Sequence, residues 1–180
     1  MASYLREVFG SCADEEGPGW RVLELGAGIG VCGICAAVTS PNLHVTITDI
    51  DSTILELARK NVELNMNRYG SQKPKVTYLD WDELEHGDNE IVSYQVIIGS
   101  DIVYEGVSHV STWSTVDRVL DRTPGAQFIL THQRKCDGLE EDEWLLAFRE
   151  HGVYLGFFLI YQHCHEDMYL DVWARAAPGL

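Results

Sequence analysis

Val22-Leu23-Glu24-Leu25-Gly26-Ala27-Gly28-Ile29-Gly30 is a short apolar run leading into three alternating glycines, and the small apolar stretch Val31 to Val38 follows as a helix. Strand, tight turn and helix N-terminus in that order build a nucleotide site, because backbone N–H groups and the helix dipole converge on the turn. Two ligand classes compete for it. Gly28-Ile29-Gly30-Val31-Cys32-Gly33 satisfies the dinucleotide fingerprint, and Asp49 stands where a ribose-binding carboxylate is expected. Glu24 argues against that ligand. It ends the strand beneath the loop, where a dinucleotide places a doubly charged pyrophosphate that a carboxylate repels. A ligand without phosphate and with positive charge suits an acid there, and S-adenosylmethionine, with its ammonium and sulfonium, is such a ligand.

Outward from the loop, strand and helix signals alternate. Runs rich in β-branched or aromatic residues recur at Arg21 to Leu25, His44 to Thr48, Lys75 to Leu79, Tyr94 to Gly99 and Ala126 to Thr131. Helical spacing follows several of them: Ile54, Leu57, Ala58 and Val62 after the capping residues Asp51 and Ser52, then Val107, Val110, Trp113 and Ser114. Trp144, Leu145 and Phe148 mark a further helix that His151-Gly152 is expected to stop. At the start, Tyr4 to Phe9 reads as a short helix and Gly17-Pro18-Gly19 as the loop into the first strand. At the end, Val153 to Tyr161 and Met168 to Ala174 are strands joined by only His163 to Asp167. That is too short for a crossover helix, so they pair as an antiparallel hairpin. The expected fold is α/β: a Rossmann-like, doubly wound seven-stranded sheet, mostly parallel with an antiparallel C-terminal hairpin, in one domain spanning 1–180.

Composition removes several classes. Thirteen Lys and Arg against 28 Asp and Glu give a formal charge of -15, the opposite of a phosphate-backbone binder, so no nucleic-acid partner is expected. A basic protein partner fits that charge better. Glu140-Glu141-Asp142-Glu143 also reads simply as the acidic first turn of a helix. No apolar run approaches the roughly 20 residues that span a bilayer. Five cysteines at irregular spacing and no apolar leader indicate a reducing compartment, cytoplasmic or nuclear. Cys32-Gly33-Ile34-Cys35 has redox spacing, yet small residues are what a helix packed on a glycine loop requires. His163-Cys164-His165 lacks the second ligand cluster of a tetrahedral metal site and reads as turn residues, so no metal is expected.

With Asp49, Asp80-Trp81 and Asp101-Ile102-Val103-Tyr104 added to Glu24 to Gly30, the chain resembles the seven-β-strand methyltransferases. More narrowly, it is similar to the methyltransferase-like protein-lysine methyltransferases marked by an Asp-x-x-Tyr motif. The similarity runs from about Tyr4 onward. It implies S-adenosylmethionine as cofactor, with Glu24, Gly26, Gly28 and Gly30 at its methionine end. Asp49 would bind the ribose hydroxyls beside Ile50, Asp80 would accept from the adenine amino group, and Trp81 would lie against the ring, although Trp81 also reads as a core aromatic. Ser100 and Asp101, ending the fourth strand, would face the transferred methyl group. Ile102-Val103 stand where N6-adenine methyltransferases carry a Pro-Pro-aromatic run, which argues against a nucleobase substrate. Members of the group carry a longer segment before the first helix, with an aromatic residue over the cofactor; little precedes Tyr4 here, so the cover is expected to be built differently or to lie outside this sequence.

For a lysine acceptor the obstacle is charge. With a solution pKa near 10.4, only about one amine in a thousand is neutral at pH 7.4, a cost of roughly 4 kcal/mol. The expected catalytic pair is Asp101 and Tyr104: Tyr104 with the carbonyls near Ser100 orients the amine, while Asp101 positions the cofactor or attracts the incoming ammonium. A methyl or aminopropyl transferase acting on a small amine, and a noncatalytic partner protein of the same fold, are the alternatives. The sequence carries no signal for oligomeric state.

Overall fold

The structure is a computed structural model and describes residues 4, 19–40, 42–69, 72–84, 92–104, 106–133 and 143–176. Seven strands form one sheet: β1 (Arg21–Leu25), β2 (His44–Asp49), β3 (Lys75–Tyr78), β4 (Val96–Ser100), β5 (Gln127–Gln133), β6 (Phe157–His165) and β7 (Met168–Arg175). Their order is β3-β2-β1-β4-β5-β7-β6. The five strands β1 to β5 are parallel, whereas β7 runs antiparallel between β5 and β6. This is the expected doubly wound sheet with its antiparallel hairpin. Strand order reverses between β1 and β4, and the crevice at their carboxyl ends is where such sheets bind ligands.

The helices are α1 (Val31–Thr39), α2 (Ser52–Leu64), the single turn α3 (Trp81–Leu84), α4 (His109–Val119) and α5 (Glu143–Tyr154). They cover a sheet buried on both faces, which is why its central strands read as continuous apolar runs. Val22, Ile47 and Ile98 pack with Ile34, Ala58 and Val62 on one face; Leu23, Leu25, Ile97 and Phe128 pack with Trp113 and Phe148 on the other. Trp113 is fully buried, donates Nε1 to the Phe148 carbonyl at 2.7 Å and meets Phe157 and Trp173.

Several sequence expectations shift. Of the residues expected on one face of the helix after β2, Ala58 and Val62 are buried and Ile54 is half-buried, but Leu57 is exposed and Leu55 is buried instead. Asp51 caps α2 as expected, accepting from Thr53 N and Ile54 N. In α4 the buried stripe includes Thr112, Thr115 and Val116 while Val110 faces solvent. Gly152 does not stop α5; the helix runs on to Tyr154, and Gly156 at φ 83° ends it. Val153 and Tyr154 therefore belong to α5, and β6 begins at Phe157. A Cβ on Gly152 would stand 2.3 Å from Trp113 Cζ2, so this glycine serves close packing rather than termination. The hairpin is tighter than expected too, with β6 reaching His165 and only Glu166-Asp167 in the turn. Of Tyr4 to Phe9 only Tyr4 is described, and it is helical, stacked 5.5 Å from Tyr161. Gly17, Pro18 and the acidic residues Glu140, Glu141 and Asp142 lie outside the described residues, while Glu143 opens α5. No described helix is long and apolar enough to cross a membrane.

Candidate active site

The glycine loop is held from below and from the side. Gly26, Gly28 and Gly30 all have positive φ, at 55°, 54° and 81°. Gly26 is also sterically required, because a Cβ there would come within 2.9 Å of Ile102 Cγ2 and 3.5 Å of the Trp81 ring. Ala27 N donates to the Thr48 carbonyl at 2.9 Å, and Gly28 N donates to Asp49 Oδ2 at 2.8 Å. Asp49 Oδ1 accepts from Asp51 N at 3.0 Å, so one carboxylate pins the loop and the start of α2 together.

Beside the loop lies a cavity of about 370 Å³, within the range of small-molecule sites. Gly26, Asp49, Ile50, Asp80, Trp81, Asp101 and Tyr104 line it, all of them sequence candidates. Trp81 does two things, because it also packs against the core cluster around Trp113. Asp80 Oδ1 accepts from Asp82 N at 2.9 Å, fixing the first turn of α3 and the rim it forms. Asp101 is a non-glycine residue at φ 55°, held there by its N–H to the Thr131 carbonyl at 2.7 Å. Such strain persists where the surrounding structure imposes it, commonly at functional sites.

The other sequence candidates do not line the cavity. Gly28 and Gly30 shape the loop. Ser100 accepts from Thr131 Oγ1 at 3.0 Å, between β4 and β5. Glu24 is 2% exposed beneath the loop and accepts from Gly33 N at 2.9 Å, in the first turn of α1. Burial pushes its carboxyl up to about 7, against the lowering effect of the Gly33 and Cys32 amides and with a further upward push from Asp49. Cys32, next to it, is pushed up to about 11, mainly by burial, which is the opposite of what a redox thiol needs. His163, Cys164 and His165 are exposed residues ending β6, and among the described residues no group of three metal-ligating side chains forms.

The sequence reading gave no site role to Leu79, Asp82, Ile102, Gly106, Val107, Ser108 and Ser111, which complete the cavity. Ser108 had a legible signal: it caps α4, its side chain accepting from Ser111 N at 3.1 Å. Of Trp144, Leu145 and Phe148, which marked α5 in the sequence, Leu145 and Phe148 are buried and Trp144 is 44% exposed. It faces Tyr104 across a narrow cleft that shares Ile102, Tyr104 and Val107 with the main cavity.

The donor set tests the ligand. Four carboxylates, Asp49, Asp80, Asp82 and Asp101, line the cavity, and no described Lys or Arg does. A pyrophosphate would be repelled by that lining, whereas hydroxyls, an amino group and a positive charge would each find an acceptor. The residues present fit S-adenosylmethionine and disfavour a dinucleotide.

Known proteins agree with this geometry at the level of fold and family. The ribosomal protein L11 methylase of Lactobacillus delbrueckii subsp. bulgaricus superposes with a TM-score of 0.69 at 16% identity, over 98% of this chain and 79% of that one. The calmodulin-lysine N-methyltransferase of Arabidopsis thaliana is 25% identical over 124 residues, 68% of this chain and 40% of the relative. The protein N-lysine methyltransferase METTL21A of Danio rerio is 36% identical over 111 residues, 54% of this chain and 47% of the relative. The chain thus spans less than half the length of these two curated relatives. Residues 1–147 match the family described as lysine methyltransferase, and the chain belongs to that family.

Proposed function

We propose that the chain binds S-adenosylmethionine in the cavity beside Gly26 and transfers its methyl group to a lysine side chain of a protein substrate. The observation that carries this reading is that Asp49, Asp80 and Trp81 share one cavity with Asp101 and Tyr104, so a ligand-binding half and a reacting half meet across the same glycine. The bound cofactor supplies a methyl group already activated on sulfur. The chain's own work is then to place the acceptor and to remove its charge.

On the binding half, Asp49 has lone pairs left for ribose hydroxyls after accepting from Gly28 N and Asp51 N. Asp80 offers a second acceptor at the rim of α3, and Trp81 a flat apolar wall. On the reacting half, Asp101 attracts the incoming ammonium and Tyr104 orients it. Ile102, Tyr104 and Val107 bring apolar surface to the amine, and contact with it favours the neutral form. Holding nucleophile and methyl group in line contributes the rest.

A basic substrate segment belongs to the same reading, and charge placement supports it. Asp49, Asp80, Asp82 and Asp101 stand at the carboxyl ends of the parallel strands, and the Glu166-Asp167 turn lies at that edge because Met168 pairs with Gln133. The ion pairs Arg21–Asp121, Arg175–Asp117 and Lys73–Glu63 lie at the opposite edge. Cys32, Cys35 and Cys164 are free thiols, which supports a reducing compartment.

The test is incubation of the purified chain with methyl-labelled donor and cell extract. Label in protein, recovered as methyl-lysine after acid hydrolysis, is the expected result. Label only in small metabolites, recovery as methyl-arginine, or donor binding without transfer would each overturn it. Asp101→Asn is expected to slow transfer by about 100-fold or more while donor affinity changes only a few-fold; unaltered transfer would remove Asp101 from the reaction.

A further inference from the structure

Glu24 is the one buried acid at the site to which no step above gives a role. Its Oε2 accepts from Gly33 N at 2.9 Å, and a Cβ on Gly33 would approach that oxygen to 2.5 Å, so α1 sits directly on the carboxyl. Among the described residues the groups around it offer no positive side chain. From β2 comes Asp49, an acid, with Thr48, whose Oγ1 donates to the Glu24 carbonyl at 2.6 Å. From α1 comes the thiol of Cys32, which is neutral at physiological pH, with Cys35 one turn further on. From β4 comes the hydroxyl of Ser100, which bonds Cys32 and Thr131. No described Lys, Arg or His pairs with Glu24 or Asp49.

A carboxyl that is sealed from water beside another acid holds a proton more readily than one in solvent. The N-terminal amides of α1 pull the other way, and the balance leaves Glu24 titrating near neutrality rather than fully ionised. A cation placed on the upper side of the same loop adds an attractive field and tips that balance. We infer that Glu24 is a proton-linked positioning residue: it holds a proton in the donor-free protein and releases it to solvent when a positively charged methyl donor occupies the loop. The inference rests on the reading of the cavity given above. It assigns Glu24 a charge that follows the ligand's, so the loop is matched electrostatically to the donor and mismatched to the neutral product that remains after transfer.

Calorimetric titration of the chain with S-adenosylmethionine and with S-adenosylhomocysteine, in buffers of differing ionisation enthalpy, tests this. The two ligands share the same amino acid end and differ by one methyl group and its charge; because the sulfonium also lowers the donor's own amino pKa, the comparison is read at pH 7 and below, where both amino groups are mainly protonated. At pH 7 about half a proton should leave per methyl donor bound, falling to about a tenth at pH 8, with distinctly less release for the neutral thioether. The methyl donor's Kd should rise roughly ten-fold from pH 8 to pH 6. Glu24→Gln should abolish the difference between the two ligands and flatten the pH profile. Equal proton counts for both ligands, or a difference that survives Glu24→Gln, would overturn the inference. Should the variant fail to fold, the comparison of ligands on the wild-type chain still decides. Failure of both ligands to bind at any pH would instead sink the reading of the cavity itself.

Discussion

Gly152 shows how far one missing carbon reaches. Its place inside α5 lets the helix lie against the Trp113 indole, and an added Cβ would overlap that ring at 2.3 Å. Alanine is the better helix former by about 1 kcal/mol, yet overpacking a buried ring costs roughly 1 to 3 kcal/mol or more, so the clash should win. Gly152→Ala is expected to lower the urea midpoint with an unchanged slope; a raised midpoint would mean that α5 shifts freely. Glu24 carries a second prediction at this scale. Its carboxyl is raised in the folded chain from 4.5 to about 7, so the folded state binds the extra proton. The stability tied to that proton is present below pH 4.5 and is lost as pH rises toward 7, by up to about 3 kcal/mol. Donor-free protein should therefore melt lower at pH 8 than at pH 5.5 from this group's contribution, and Glu24→Gln should reduce that fall. Glu24 was legible as an acid under the loop from its position alone. Its protonation was not, because it depends on how completely α1 excludes water.

At the scale of elements, the capped start of α2 was more readable than any helix face. Asp51 and Ser108 act through side-chain acceptors within two or three residues, an interaction that tertiary packing hardly alters. Asp51→Ala should cost about 1 kcal/mol in thermal or urea unfolding. Because Asp51 N also donates to Asp49 Oδ1, a backbone contact that survives the change, donor affinity should move much less than stability. Faces are different. Leu55 rather than Leu57 is buried in α2: the two lie about 200° apart around the helix, and only the partner surface selects between them. The end of α5 was misplaced for a related reason: Gly152 looked able to stop it and Gly156 read as strand, whereas Gly152 packs inside the helix against the Trp113 ring, thirty-nine positions earlier in the chain, and the helix ends before Gly156.

Across the molecule, Asp171 ties the antiparallel edge to the parallel core. It is fully buried in β7 and accepts from Gln162 of β6 at 2.7 Å and from Arg149 of α5 at 3.1 Å, with His132 of β5 at 3.3 Å. Burial alone would raise its carboxyl, but the His132 and Gln162 hydrogen bonds and the charges of His132 and Arg149 outweigh it and hold the group below its ordinary value. The stability this provides is present above the unfolded carboxyl range near pH 3.8 and is lost as pH falls through the lower folded value. Asp171→Ala should cost about 3 kcal/mol or more, because Arg149 and His132 would lose a buried acceptor. Acid unfolding of the variant should lose the steepest part of its slope; an unchanged acid limb would place the pH sensitivity elsewhere.

By itself the sequence determined the class of fold, the strand-turn-helix order around Gly26 to Gly30, the Asp51 cap, and Asp49, Asp80, Trp81, Asp101 and Tyr104 of the cavity lining. Those properties are local: alternation, glycine spacing and short-range hydrogen bonds need only the neighbouring residues. Tertiary structure alone decided which helical stripe faces the sheet, where α5 ends, that Trp144 is exposed in a cleft shared with Tyr104, and that Glu24, legible as the acid of the glycine loop, is sealed beneath it with its carboxyl raised to about 7 instead of lining the cavity. Each of these depends on which distant surface excludes water or fills space, and that is set by packing across the sheet.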